Sequence, residues 1–421
     1  MKNEKKHRIT HSHSLLDKRQ GTAAPLKVII SGGGTGGHIY PAIAIANALR
    51  QRFPGISILF AGAEGRMEME KVPEAGYTVA GLPVAGLQRK RWWKNFSLPF
   101  KLWKSLRKAT QIINDFKPDV VVGVGGYASA PVLWTAQRKK IPTLLQEQNS
   151  YAGIANKLLA KRADTICVAY DGMERFFPKE KIILTGNPVR FTGNGTQGTE
   201  HREQNTGNKE QVTTNGASCL VNRQPFTVLL VGGSLGARTL NQAMIQALPE
   251  LYDSGVHFIW QTGKAYFEQA KTAVNALIGA RGAEHGIPFT VVDFISRMDE
   301  AFAAADVVVS RAGAGTISEL CVAAKACVFV PSPNVAEDHQ TKNAQALVAK
   351  NAALMVRDDE AKEKLWTVVM DLLHDKARIK ELEKNIAALA KPNAANDIVN
   401  EIASLAVHGA RGTVNGNDKW K

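Results

Sequence analysis

The sequence has no long apolar run: nothing in its 421 residues approaches the roughly 18 consecutive apolar positions that a membrane-spanning helix needs. The first 25 residues are polar and basic and have no secretory hydrophobic centre, so the chain is expected to stay in the cytoplasm. Cysteine is also scarce. The four present, Cys167, Cys219, Cys321 and Cys327, make no CxxC pair and no disulfide-like spacing. They read as structural thiols in a reducing compartment, with no zinc site. Acidic charge is in deficit: 38 Asp and Glu against 53 Lys and Arg leave a formal charge of +15. Such an excess calls for an anionic partner, whether nucleic acid, an anionic membrane surface or a phosphate-bearing substrate, and composition alone does not choose.

What is present is alternation. Short apolar strands such as LKVIISG, SILFAG, DVVVGVGG, TLLQEQ and TICVAY are separated by helical patterns, the mark of βαβ units and a parallel sheet. A second series follows with TVLLVGGS, HFIWQTG, FTVVDF, DVVVSRAG and ACVFVPSP. Between them, residues 192–224 are rich in Gly, Asn, Thr, Gln and charge and read as a flexible polar linker. The expected organisation is a basic disordered tail over 1–25, an α/β domain over 26–191, the linker, a second α/β domain over 225–407, and a polar tail over 408–421. The last helix is a candidate to pack back on the first domain.

Each series opens on a glycine turn between strand and helix. The first is Gly32-Gly33-Gly34-Thr35-Gly36-Gly37-His38, followed by Ile43, Ile45, Ala46 and Leu49, which can face a sheet. Without side chains, its backbone N–H groups and the helix N-terminus can approach an anion or a sugar diphosphate; close helix–sheet packing would also use glycines. The spacing is neither GxGxxG nor GxxxxGK[ST], and no acidic ribose ligand is clear, although Glu64 lies nearby, which argues against a dinucleotide site. The second domain repeats the device with Gly232, Gly233, Ser234 and Gly236. Further on, SRAGAGTISEL places Thr316, Ser318 and Glu319 at a helix start, where amides and hydroxyls can hold phosphate oxygens and a carboxylate can accept two ribose hydroxyls. Thr316 and Glu319 also fit a capping box. The RDDE run at 357–360 reads as surface charge at a helix start, and no Asp-x-Asp follows a strand of the second domain.

Residues 87–108, LQRKRWWKNFSLPFKLWKSLRK, interleave cations with Trp92, Trp93, Phe96, Phe100 and Trp103 and contain no acid. Pro99 is expected to start a helix whose Leu102, Leu106, Ala109 and Ile113 face the core. The remaining aromatics and cations, Lys94 among them, suit an anionic membrane surface, since indoles favour the headgroup level and cations favour acidic lipid. Ordinary core packing and single-stranded nucleic acid are the competing readings.

Seven segments in order, GGGTGGHIYPA, GVGGYAS, QEQN, GNPVR, GGSLGAR, RAGAGTISE and DHQTKNA, resemble the MurG family of glycosyltransferases over about Leu26 to Val407. The resemblance implies a GT-B fold, two Rossmann-like parallel-sheet domains facing across a cleft. It implies inverting, metal-independent transfer of N-acetylglucosamine from UDP-N-acetylglucosamine to the C4 hydroxyl of undecaprenyl-diphosphate-linked N-acetylmuramyl pentapeptide. No cofactor and no nucleic acid partner are expected, and the place of action would be the cytoplasmic face of the inner membrane, held peripherally. Carried over by position, Thr35, Gly36 and Gly37 would line the cleft, Asn149 would meet the transferred sugar, and Arg190 and Ser234 the UDP. Ile295 would offer its backbone to uracil, the stretch Ala314, Gly315, Thr316, Ile317, Ser318 and Glu319 would hold diphosphate and ribose, and Gln340 the sugar hydroxyls. His38 would be the general base, its imidazole suited to proton removal near neutral pH, with helix capping as the plainer role. Family members often carry histidine where this chain has Gln146, a side chain that hydrogen-bonds but cannot shuttle a proton. Another GT-B transferase or a UDP-sugar epimerase acting on a soluble substrate is the alternative reading, and a non-enzymatic nucleotide-binding or nucleic-acid-associated protein is a more distant one.

Overall fold

A computed structural model describes residues 25–34, 36–84, 98–189, 211–214, 217–220, 226–233, 236–282, 287–335 and 338–414, with backbone only at 98–99, 211–214, 217–220 and 408–414. The described residues up to 189 and from 393 onward form one compact unit, and those from 211 to 392 form another.

The first unit is built on seven strands: β1 (Lys27–Ser31), β2 (Ser57–Ala63), β3 (Thr78–Leu82), β4 (Val120–Gly123), β5 (Thr143–Glu147), β6 (Thr165–Val168) and β7 (Ile182–Leu184). They pair in the order β3-β2-β1-β4-β5-β6-β7, all parallel. The central register sets Ile29 beside Leu59 on one side and Val121 on the other. Strands such as VVVG are apolar at every position because helices cover both faces of the sheet. Helices α1 (Gly36–Arg52), α2 (Glu68–Glu74), α3 (Leu98–Phe116), α4 (Ser129–Arg138) and α5 (Ile154–Ala160) alternate with the strands. Ile29, Val121 and Leu145 pack with Ala109, Ile113 and Leu133 on one face, and Val28, Ile30, Val120 and Val122 pack with Ile45, Ala46 and Leu49 on the other.

The expected core stripe of α3 holds only in its later turns. Ala109 and Ile113 are buried and Leu106 is half-buried, but Leu102 is 54% exposed. The inward face at the start of the helix is taken by Ser105, whose hydroxyl donates to the carbonyls of Pro83 and Lys101, both at 2.8 Å. Leu102 points in nearly the same direction around the helix as the buried Ala109 and Ile113, so its exposure comes from its place in the early turns of α3 and not from a different face.

Within residues 192–224, read from the sequence as a flexible linker, the described residues form an antiparallel pair, β8 (Gln211–Thr214) with β9 (Ala217–Leu220). An Asn-Gly pair stands between these strands in the sequence, a hairpin signal that the linker reading did not take up.

The second unit repeats the first. Strands β10 (Phe226–Val231), β11 (Val256–Gln261), β12 (Phe289–Val292), β13 (Val307–Ser310), β14 (Ala326–Phe329) and β15 (Leu354–Met355) pair in the order β12-β11-β10-β13-β14-β15, again all parallel. Around them lie α6 (Arg238–Tyr252), α7 (Phe267–Arg281), α8 (Met298–Ala304), α9 (Ala314–Ala323), α10 (His339–Val348), α11 (Ala361–His374) and α12 (Lys376–Ala387). Trp260, Phe258 and Trp366 anchor one core, with Phe258 and Trp366 edge to face at 5.6 Å. The last helix, α13 (Ala394–Val414), returns to the first unit, where Ile398, Val399, Ile402 and Ala406 complete the core under β1 and β4. None of the helices among the described residues is long and apolar enough to cross a membrane.

Candidate active site

In each parallel sheet the strand order reverses between its first and fourth strands in chain order, β1 and β4 in one and β10 and β13 in the other. Connections there leave in opposite directions, opening a crevice beyond the carboxyl ends of the strands where ligands of open α/β sheets bind.

At the first switch point the two turns interlock without side chains. A Cβ on Gly126 would lie 2.2 Å from the Gly33 carbonyl oxygen, and one on Gly32 would lie 2.1 Å from Val124 Cγ2. A Cβ on Gly125 would fall 2.9 and 3.0 Å from His38 Cδ2 and Nε2, so the imidazole lies directly against this turn. His38 is half-buried and stands in the first turn of α1. The loop is held from beneath by Glu68, a buried carboxylate that accepts from Gly34 N at 3.0 Å and Ala63 N at 2.8 Å. The Gly34 amide is therefore engaged inside the protein, which narrows the expectation that the loop amides close on an outside anion. Gly36 and Gly37 open α1. Thr35 lies outside the described residues.

Beside this turn, the end of β5 carries a buried polar cluster. Glu147 accepts from Gly153 N (3.0 Å), Asn156 Nδ2 (2.9 Å), Asn149 N (3.1 Å) and Asn149 Nδ2 (3.3 Å). Burial pushes its carboxyl above the ordinary carboxylate range, and the four donors oppose that shift. Asn149 is thus oriented by a carboxylate two residues before it. Gln146 is fully buried: its amide donates to Asn187 Oδ1 at 3.0 Å and its carbonyl oxygen accepts from Gln148 Nε2. Gln148 Nε2 also donates to the Val124 carbonyl at 2.7 Å, which ties this cluster to the turn that faces His38.

The second switch point has the same build. A Cβ on Gly232 would lie 2.4 Å from Ala237 N, and Gly236, at φ +77°, would place one 2.1 Å from the Thr262 carbonyl oxygen. Gln261 Nε2 supports the turn through the Gly233 carbonyl at 3.0 Å. Ser234 and Arg190 lie outside the described residues. Across the switch, Gly313 is the N-cap of α9 and brings no side chain of its own to the helix start. The capping box that Thr316 and Glu319 also fit, the alternative reading, is not formed, because the helix starts at Ala314 and Thr316 is already inside its first turn. Ser318 donates back to the Ala314 carbonyl at 3.0 Å, and Glu319 and Ile317 are buried. Ile295 is buried as well, which suits a residue whose use would be its backbone. Gln340 Oε1 accepts from Ser332 N at 2.9 Å.

One charge reading is overturned. Asp358 of the RDDE run is not a surface charge; it forms a sheltered ion pair with Arg311, at 21% and 13% side-chain exposure. Neither residue stood out in the sequence, since nothing in a run of acids marks the one that turns inward. The supporting roles of Glu68 and Gln148 were missed for the same reason: they act from beneath their loops. Cys167, Cys321 and Cys327 are free and buried, and burial pushes the Cys321 thiol up to about 12 and the other two well above the ordinary range. Among the described residues no group of three or more His, Cys, Asp or Glu is placed to hold a metal ion.

Two doubly wound units, each with a bare glycine turn at its switch point, are the fold of the GT-B glycosyltransferases. Comparison with known proteins narrows this. The glycosyltransferase family 28 N-terminal domain matches residues 28–168 and the family 28 C-terminal domain matches residues 227–400. A "UDP-N-acetylglucosamine--N-acetylmuramyl-(pentapeptide) pyrophosphoryl-undecaprenol N-acetylglucosamine transferase" of Bacteroides thetaiotaomicron is 53% identical over 90% of this chain and 98% of its own. The protein of the same name from Porphyromonas gingivalis W83 is 50% identical over 92% of this chain and 98% of its own. The crystal structure of Acinetobacter baumannii MurG superposes with a TM-score of 0.69 at 28% identity, covering 90% of this chain and 99% of that one. The chain belongs to glycosyltransferase family 28 and, within it, to the MurG family.

Proposed function

We propose that this protein transfers N-acetylglucosamine from UDP-N-acetylglucosamine to the C4 hydroxyl of undecaprenyl-diphosphate-linked N-acetylmuramyl pentapeptide, with inversion at the anomeric carbon. The observation that carries the reading is the identity of half or more of the residues over nine-tenths of the chain to transferases named for this reaction. His38 is the general base: its ring lies against the Gly125 turn at the first switch point, where it takes the proton from the attacking hydroxyl as the new C–O bond forms. As the sugar–phosphate bond breaks, charge grows on UDP. Arg190, Ser234 and the first-turn amides of Ala314, Gly315 and Thr316 stabilise it, aided by the helix dipole. Glu319 takes the ribose, Ile295 the uracil through its backbone, and Asn149 and Gln340 the sugar; the one Gln340 oxygen bonded to Ser332 N leaves its amide donors for hydroxyls. Thr35, Gly36 and Gly37 bound the acceptor side.

The acceptor is lipid-borne, and α3 offers a surface for it. Phe100 and Trp103 are 59% and 54% exposed, with Lys104 Nζ 4.5 Å from the Phe100 ring centroid and the Arg107 guanidinium 5.7 Å from that of Trp103. We assign these residues, with Trp92, Trp93, Lys94 and Phe96 outside the described residues, to peripheral attachment at the anionic cytoplasmic face of the membrane, with no role in nucleic-acid binding.

The test is incubation with labelled UDP-N-acetylglucosamine and a short-chain analogue of the lipid acceptor, with and without chelator. Transfer undiminished by chelator is expected; release of free sugar or a 2-epimer without transfer would overturn the reading. Co-sedimentation with liposomes should rise with acidic lipid and weaken with salt, and equal binding to neutral vesicles would refute the attachment surface.

A further inference from the structure

In the run Arg357-Asp358-Asp359-Glu360, three residues face water. Arg357 pairs with Asp359, both well exposed, and Lys364 with the half-buried Glu360 at the surface. Asp358 turns inward instead. One of its oxygens accepts from Arg311 Nη1, and the other accepts from Thr239 Oγ1 at 3.0 Å. The same Arg311 nitrogen reaches the carbonyls of Val330 at 2.9 Å and Pro331 at 3.2 Å.

Asp358 and the Arg311 it holds therefore join four segments at the carboxyl edge of the second sheet. Arg311 is the first residue after β13 and leads through Gly313 into α9. Val330 and Pro331 follow β14, and the next amide, Ser332 N, is held by Gln340. Thr239 is the second residue of α6, directly after the Gly232–Gly236 turn, and Asp358 itself follows β15. Three of the four are the segments assigned above to UDP-N-acetylglucosamine, and none is a strand that the sheet would hold in place by itself. A binding constellation must be fixed to within about 0.5 Å, which loops achieve only through a supporting shell.

We propose that Asp358 is a positioning residue for the sugar-nucleotide donor. By locking Arg311 and Thr239 it sets the spacing of the glycine turn, the α9 N-terminus and the Gln340 turn. The proposal rests on the donor assignment of the preceding section. It makes a prediction opposite in sign to simple electrostatics. Asp358→Asn leaves the Arg311 cation without its counter-ion, and added positive charge at an anion site by itself tightens binding of UDP. If the node acts by position, the same substitution weakens binding.

Calorimetry with UDP on the wild-type chain, Asp358→Asn, Asp358→Ala and Thr239→Val decides between these, with steady-state KM for donor and acceptor alongside. A Kd for UDP raised about 10-fold in both Asp358 variants and about 3-fold in Thr239→Val is expected, the donor KM rising in step and the acceptor KM staying within about 2-fold. UDP binding that is unchanged or tighter in Asp358→Asn would overturn the proposal, as would equal rises in donor and acceptor KM. If the Asp358 variants do not fold, Thr239→Val decides alone, and wild-type affinity in it refutes the role. No UDP binding by the wild-type chain would remove the donor assignment itself, and this inference with it.

Discussion

Replacing Gln146 by histidine, the residue that the family resemblance leads one to expect there, separates two meanings of the position. Gln146 is fully buried and bridges Asn187 and Gln148 through its two amide atoms. A neutral imidazole has one N–H and one lone pair, so Gln146→His can keep both bonds, whereas Gln146→Leu keeps neither. Losing two buried hydrogen bonds costs about 1–3 kcal/mol in total, and in a unit of this size each kcal/mol lowers Tm by about 2–4 °C. Gln146→Leu should therefore melt measurably lower, with kcat/KM reduced because Gln148 holds the Val124 turn against His38. Gln146→His should melt near the wild type and keep its pH–rate profile. The assay is kcat/KM for transfer between about pH 5.5 and 9, with thermal melts on the same samples. If the position serves proton transfer, Gln146→His should gain about 10²-fold or more in kcat and show a new ionisation; that outcome would refute the bridging role.

Four further outcomes follow from the site and core. His38→Ala should lose about 10²–10⁴-fold in turnover while UDP affinity measured by calorimetry stays near wild type, and wild-type turnover would reject His38 as the base. Gly126→Ala forces a Cβ onto the Gly33 carbonyl at 2.2 Å from a backbone with φ +84°, so the two turns must part by about 1 Å; acceptor-dependent kcat/KM should drop about 100-fold, and unchanged kinetics would contradict the interlock. His257 is buried against Thr290 Oγ1 at 3.0 Å, and burial holds its pKa below 6.5. Because the unfolded chain then binds more protons, stability should fall as pH drops through 6.5 toward the folded pKa. His257→Gln should flatten that acid limb in pH-dependent melts, and an unaltered limb would assign it elsewhere. In a Cys219→Ser background the three buried thiols should resist a maleimide reagent until denaturant is added, and rapid native labelling would contradict their burial.

The sheet architecture was legible because a parallel sheet covered on both faces writes itself as unbroken apolar runs: VVVG and VVVS needed no periodicity analysis. β3 escaped because Ala80 and Gly81 dilute its run, and its membership comes from pairing with β2. The glycine turns were legible as turns, but their reason lay in backbone approaches such as Gly126 to Gly33, which join residues 93 apart in sequence. Leu102 was misassigned because helical spacing gives a face but not how far along the helix that face is covered: Ala109 and Ile113 are buried and Leu102, on the same side, is not. Asp358 looked like its three charged neighbours, and only the tertiary partner Arg311 distinguishes it. Sequence patterns report what a strand or helix buries along its own length; they are silent about a side chain that reaches under another loop, as Glu68 does beneath Gly34.

The return of α13 to the first unit has a consequence for synthesis. Ile398, Val399, Ile402 and Ala406 belong to the core that also contains Val28 and Ile30, so the part of the protein made first lacks one wall until the part made last has left the ribosome. At about 5–20 residues per second that interval is about 10–45 s, during which an apolar flank of the nascent first sheet stands open. A chain cut short just before Asn393 would keep every strand of both sheets and still expose that flank, so premature termination there should give aggregation or chaperone capture, not a slightly weakened enzyme.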